Sequence, residues 1–182
     1  MSSLLVLPDN TVLINFALLN RMDLLAKLVK DNGAWCATVA SECDQSAKVP
    51  GLESLADAHG IFGDPLRPQS PTEHVMTRAF RTRLARPGDG PFRHLGESET
   101  LAIMASRSLR GIFVSDDRAV SVIAREQGIR IVTTFELLRA ACRSGMVDAD
   151  TAWSYLQRLR QEGRGWPPGV YERSSFEKWL AA

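Results

Sequence analysis

Residues 3–16 read SLLVLPDNTVLINF, an apolar run that meets Pro8-Asp9-Asn10-Thr11 and then resumes. A short continuous apolar run suits a strand buried on both faces, a pattern that a buried helix shares. Proline removes a ladder donor and ends such a strand, and Asp-Asn-Thr offer N-cap chemistry for a helix starting near Val12. Asp9 would then stand at the carboxyl end of a central strand, where open α/β sheets place their ligands. A carboxylate there is costly to desolvate unless something offsets it.

The same alternation continues along the chain. Helices are expected over Val12 to Leu19 and Met22 to Lys30, the second with Leu24, Leu25, Leu28 and Val29 on one face and Asn32-Gly33 as its stop. Ala34 to Ala37 is a short strand candidate, after which Thr38 caps a helix carrying Val39, Ala40, Glu42 and Cys43. A loop-rich passage, Val49 to Pro71, holds one helix from Leu52 to His59. Ser70 and Pro71 then open a helix to Leu84. Gly96-Glu97-Ser98-Glu99-Thr100 opens a helix to Leu109, and Gly111 to Val114 is an apolar strand ending in Ser115-Asp116-Asp117. A helix from Arg118 to Gln127, a strand from Ile129 to Val132, and a helix from Phe135 to Arg143 capped by Thr133-Thr134 follow. Strands alternating with helices argue for an α/β fold on a parallel sheet with right-handed crossovers. Beyond Gly145 the pattern is helical only, over Asp148 to Glu162 and Ser174 to Ala181. This divides the chain into an α/β domain, 1–145, and a C-terminal extension, 146–182.

Composition narrows the class without naming a partner. The 182 residues suffice for one sizeable core, and 45% hydrophobic with 24% charged residues describes a globular rather than a disordered chain. A net charge of +1 sets up no global field for a polyanion. Locally, Arg78, Arg81, Arg83 and Arg86 precede the breaker Pro87-Gly88-Asp89-Gly90-Pro91, a basic run able to track a phosphate backbone or to serve as a solvated helix face. Cys36, Cys43 and Cys142 are odd in number and form no CxxC pair, which suits reduced structural thiols. With no signal-like N-terminus and no 18-residue apolar run, a cytoplasmic location and no membrane partner are expected.

Four acids stand at equivalent places in this scheme. Asp9 and Asp117 end strands, whereas Glu42 and Glu99 lie near the starts of helices. In a parallel sheet, strand carboxyl ends and the following helix N-termini share one edge, so these groups can converge. Two carboxylates about 4 Å apart repel by roughly 4 kcal/mol at an effective dielectric near 20, so a cluster should raise its pKa values or recruit a cation. An oxygen-only donor set points to Mg²⁺ or Mn²⁺. Helical spacing does not choose between Glu97 and Glu99, which face different ways, and the strand end leaves Asp116 and Asp117 equally open.

The order of these motifs resembles the PIN-domain nucleases, the family that includes VapC-type toxins of toxin–antitoxin systems. The matching pieces are LVLPDNTVLINF with Asp9 and Asn10, ATVASEC with Glu42, GESETLAIMA with Glu97 and Glu99, and VSDDRAVSVIA with Ser115, Asp116 and Asp117, followed by IRIVTTFELL. They cover residue 3 to about residue 145. The resemblance implies a three-layer α/β/α sandwich and metal-dependent endonucleolytic hydrolysis of RNA. It assigns Asp9, Glu99 and Asp117 to Mg²⁺ or Mn²⁺ and Glu42 to the completed catalytic set, with the Ser115 hydroxyl orienting a metal water. It further implies an RNA substrate, flanking phosphates bound by Arg118 and the Arg78 to Arg86 run, a cognate antitoxin protein and a homodimer. The Glu at position 99, Asp at 116, the Pro-rich insertion and the tail past Gly145 depart from the common toxin pattern. LLVLPDNTVLI and VSDD also resemble motifs of haloacid-dehalogenase phosphatases, but Thr11 stands where that family carries a second acid, and Glu42 and Glu99 go unused. A non-catalytic PIN-like module binding RNA or protein is the remaining alternative; it would be expected to lack an acid, and none is missing.

Overall fold

The computed structural model describes residues 4–182; Ser3, the first residue of the opening run, lies outside them. Three strands, β1 (Leu5–Pro8), β2 (Gly111–Val114) and β3 (Arg130–Val132), form a parallel sheet in that order. Leu7, Phe113 and Ile131 share one register position across it. Because side chains alternate along a strand, these three point to one face while Val6, Ile112, Val114 and Val132 point to the other. Both faces are covered at β1 and β2, which is why those two strands read as unbroken apolar runs, whereas β3 begins with the exposed Arg130.

One layer packs α5 (Pro71–Leu84), α6 (Leu95–Ser106) and α7 (Arg118–Glu126) around Leu7 and Phe113, with Phe80, Leu101, Met104 and Ile123 as the main contacts. The opposite layer contains α1 (Asn10–Leu18), α2 (Met22–Val29), α3 (Ala37–Ser46), α8 (Thr134–Arg143), α9 (Ala149–Gln161) and α10 (Arg173–Ala181). The arrangement is the α/β/α sandwich on a parallel sheet that the motif order implies. Residues 146–182 contribute Ala152, Leu156, Leu159, Val170 and Phe176 to the same buried cluster as Phe16 and Leu24. No helix among the described residues is long and apolar enough to cross a membrane.

Three local expectations change. Ala34 to Ala37 does not form a strand; the chain touches its neighbours only through isolated parallel bridges, Val6 with Gly33 and Cys36 with Leu66. Gly33 lies so close to Phe62 that a Cβ there would sit 2.8 Å from its ring, so the backbone is pinned by packing and not by a ladder. The helix expected over Leu52 to His59 splits into a 3-10 turn (Glu53–Asp57) and α4 (Ala58–Phe62). The N-cap of α3 is Cys36, whose sulfur accepts from the Val39 amide, and not Thr38. By contrast, Ser70 with Glu73 and Thr133 with Glu136 form capping boxes at α5 and α8. The cysteines are unpaired thiols, and burial pushes those of Cys36 and Cys43 up to about 12, which leaves them inert.

Candidate active site

The sheet ladder runs into the acidic edge. The Asp9 amide donates to the Val114 carbonyl at 2.9 Å and the Ser115 amide to the Val132 carbonyl at 3.0 Å, so Asp9 and Ser115 are held side by side. Asp9 is the N-cap of α1, accepting from the Val12 amide at 2.9 Å, and is 3% exposed. Burial raises its pKa to about 7 against the hydrogen bonds from Ser115 and Val12, with the Glu97 and Asp116 charges adding to the rise. Asp117 is the N-cap of α7, accepting from the Ala119 amide at 2.7 Å, and its own amide donates to the Ser115 hydroxyl at 3.3 Å. Asp116 turns the other way. It accepts from the Thr134 amide at 2.8 Å, the Thr134 hydroxyl at 2.7 Å and the Asn15 side-chain amide at 2.9 Å, thereby holding the start of α8.

The two glutamates at the start of α6 likewise diverge. Glu97 faces Asp9 and Glu42, raising the pKa of both by its charge. Glu99 is 8% exposed and faces α3, accepting from the Thr38 amide at 3.1 Å and the Thr38 hydroxyl at 2.8 Å. Glu42, on α3, returns the contact: it accepts from the Gly96 amide in the first turn of α6. A Cβ on Gly96 would sit 2.9 Å from the Glu42 carboxylate and 3.0 Å from Val39, so a methyl there would force the Glu42 carboxylate to shift. Each helix therefore lends a carboxylate to the other's positive N-terminal end. Burial, followed by the Glu97 charge, brings the Glu42 pKa up to about 7.

A cleft of about 380 Å³ has Asp9, Asn10, Glu42, Glu97, Asp116 and Asp117 in its wall. His94 also lines it and carries no obvious sequence signal. It is the N-cap of α6 in left-handed conformation (φ 61°), and one imidazole nitrogen lies 3.3 Å from Glu97. Its only trace in the sequence is the three-residue spacing to Glu97 at a helix start. His94, Glu97 and Asp117 each offer a donor atom within 4.8 Å of the others, a spacing that fits a shared cation. The donors are mostly carboxylate oxygens with one imidazole, and the raised pKa values of Asp9 and Glu42 mark an excess of negative charge that a cation would relieve.

A wider groove of about 1010 Å³ adjoins the cleft and shares Asn10, Glu42 and Phe92 with it; Arg67, His74 and Arg78 lie along it. Phe92 is 77% exposed. The other arginines of the run scatter: Arg81 donates to the Gly90 carbonyl at 2.8 Å, Arg83 pairs with Glu126 of α7 at 2.7 Å, and Arg86 is exposed. Arg118 is exposed at the first position of α7, next to Asp117.

No curated protein matches the chain. The signature of a family described as a PIN domain matches residues 5–175, a span that takes in every acid of the cleft and most of the C-terminal extension. Members of that family are typically nucleases that use divalent metals, in keeping with a carboxylate-lined cleft at the strand ends. By sheet, layers and matched span, this chain belongs to the PIN-domain family.

Proposed function

We propose that the protein is a Mg²⁺- or Mn²⁺-dependent endoribonuclease whose active site is the cleft between Asp9, Glu42, Glu97 and Asp117. The observation that carries this reading is the convergence of Glu97, Asp117 and His94 beside the buried Asp9 at the carboxyl edge of the sheet. Asp9, Glu97 and Asp117 would hold the ion, with His94 beside them. Glu99, engaged by Thr38, sets the spacing of α3 and α6. A cation bound there would polarise the scissile phosphate and acidify the attacking water.

The remaining chemistry belongs to the chain. Ser115, between Asp9 and Asp117, orients the Asp9 carboxylate and, by accepting from the Asp117 backbone amide, ties the two strand ends together. Glu42, poised near neutrality at the cleft wall, is placed to accept the proton released by the attacking water. Arg78 and Arg67 along the adjoining groove would neutralise flanking phosphates, and the exposed Phe92 offers a stacking surface for a base.

Purified protein should cleave single-stranded RNA with Mg²⁺ or Mn²⁺ and stop with EDTA. Asp9→Asn and Asp117→Asn should each abolish cleavage and weaken Mn²⁺ binding, while leaving the fold intact. RNA cleavage that persists in the doubly substituted protein would sink the reading. A toxin role, with a cognate antitoxin as partner, rests on the VapC resemblance. It predicts growth arrest on induced expression that Asp9→Asn relieves.

A further inference from the structure

Arg164 lies far from the acids in sequence, in the turn after α9, yet it reaches their edge. Its Nε donates to Asn15 Oδ1 at 2.7 Å, and Nη2 donates to the Thr11 carbonyl at 3.2 Å. The turn that presents it is built for the purpose. Gly163 (φ 69°) and Gly165 (φ 95°) flank it in left-handed conformation, and its own amide donates to the Leu159 carbonyl at 2.8 Å. The neighbouring Trp166 is held by Trp153 edge-on at 5.6 Å and by Arg160 over its ring at 5.0 Å.

Asn15 is fully buried, and each of its polar atoms is committed. Its Nδ2 donates to Asp116 Oδ2 at 2.9 Å and to Thr134 Oγ1 at 3.0 Å. An amide group can swap oxygen for nitrogen by a half-turn in nearly the same volume. Arg164 can only donate and an ionised Asp116 can only accept, so together they permit one orientation. Without Arg164, Asn15 Oδ1 is a buried acceptor with no donor, and a swapped amide would aim oxygen at the Asp116 carboxylate. The same guanidinium grips Thr11, two residues after Asp9. One side chain thus ties the segment of Asp9 to the segment of Asp116 and Asp117.

We propose that Arg164 is a positioning residue for the acidic cleft, acting through Asn15 and Asp116 to hold the strand-end acids in register. The proposal rests on the reading of the cleft as a metal-dependent active site. Its test compares wild type, Arg164→Gln, Arg164→Lys and Asp117→Asn by Mn²⁺ titration calorimetry, RNA cleavage kinetics, and NMR exchange of the Asn15 side-chain amide and the Thr134 backbone amide. Arg164→Gln should weaken Mn²⁺ binding about tenfold and lower kcat with KM nearly unchanged, in line with other residues that orient ligands. The Asn15 and Thr134 amides should lose protection. Arg164→Lys keeps the charge but not the two-pronged donor, and should fall between the two.

Simple electrostatics predicts the opposite sign, because deleting a cation beside carboxylates strengthens Mn²⁺ binding. Unchanged or tighter Mn²⁺ binding in Arg164→Gln overturns the proposal. So does a raised KM with kcat retained, which would make Arg164 a substrate contact. Should Arg164→Gln fail to fold, wild-type Mn²⁺ affinity in Arg164→Lys would reduce the role to charge and overturn the proposal equally. If Asp117→Asn binds Mn²⁺ as well as wild type, the cleft reading fails, while amide exchange still decides the relay.

Discussion

Asp9 and Glu42 would ionise near pH 4 as free side chains, but at the cleft burial and the Glu97 charge bring both to about 7. The folded chain therefore holds protons that the unfolded chain has already released. Across that interval stability falls as pH rises, being fullest below about pH 4 and lost through about pH 7. In EDTA, Tm should decline between pH 5 and pH 8; Asp9→Asn should flatten the decline, and Mg²⁺ should cancel it at pH 8. A Tm in EDTA that climbs over the same range would contradict the burial of these acids. Glu73 works in the opposite sense at lower pH, since Arg107 at 2.7 Å holds its carboxyl down to about 2. Helical periodicity left Glu97 and Glu99 undecided for a physical reason, and only the family resemblance named Glu99. Helix α6 is buried on nearly every side from Ser98 to Met104, so no polar face marks which glutamate looks into the cleft. The structure sends Glu99 to Thr38, a partner 61 residues away.

The mutual bracing of α3 and α6 makes two predictions at the level of elements. Gly96→Ala places a methyl against Glu42 and Val39, an overpacking cost of about 1–3 kcal/mol, set against a helix-propensity gain of up to about 1 kcal/mol. A lower Tm is expected together with loss of cleavage, because the carboxylate that must move is Glu42. Thr38→Val removes a hydroxyl donor from Glu99 and should cost about 1.5–3 kcal/mol in denaturant unfolding, the range for hydrogen bonds to a charged group. If Thr38→Val proves neutral, Glu99 does not brace the two helices. Elements whose signals are local were legible: the helix caps at Ser70 and Thr133, the proline that ends β1, and the apolar run of β2. Ala34 to Ala37 was not, because its conformation is set by Phe62 and Leu66 arriving from elsewhere.

For the molecule as a whole, alternating strands and helices were enough to infer a parallel sheet, and the family resemblance supplied the two helical layers on either side of it. How the C-terminal extension meets that sandwich was not inferable, because its contacts are with residues far upstream. Phe176 is fully buried in the cluster that also contains Phe16 and Leu24, and it packs on Trp153 with ring centroids 5.1 Å apart. Phe176→Ala should cost about 3–5 kcal/mol, and by shared burial it should shift one unfolding transition common to near-UV and far-UV signals. Two separated transitions would instead mark 146–182 as an independently melting unit.

The reach of Arg164 back to Asn15, across 149 positions, also has a consequence in time. During synthesis Asp9, Glu42, Glu97 and Asp117 all leave the ribosome before the guanidinium that ties their edge together. A nascent chain, or a fragment cut short before the Gly163 turn, carries every acid of the cleft without its clasp. If the cleft is the proposed ribonuclease site, a chain made beside RNA would reach full cutting power only after its Gly163 turn has been translated and folded.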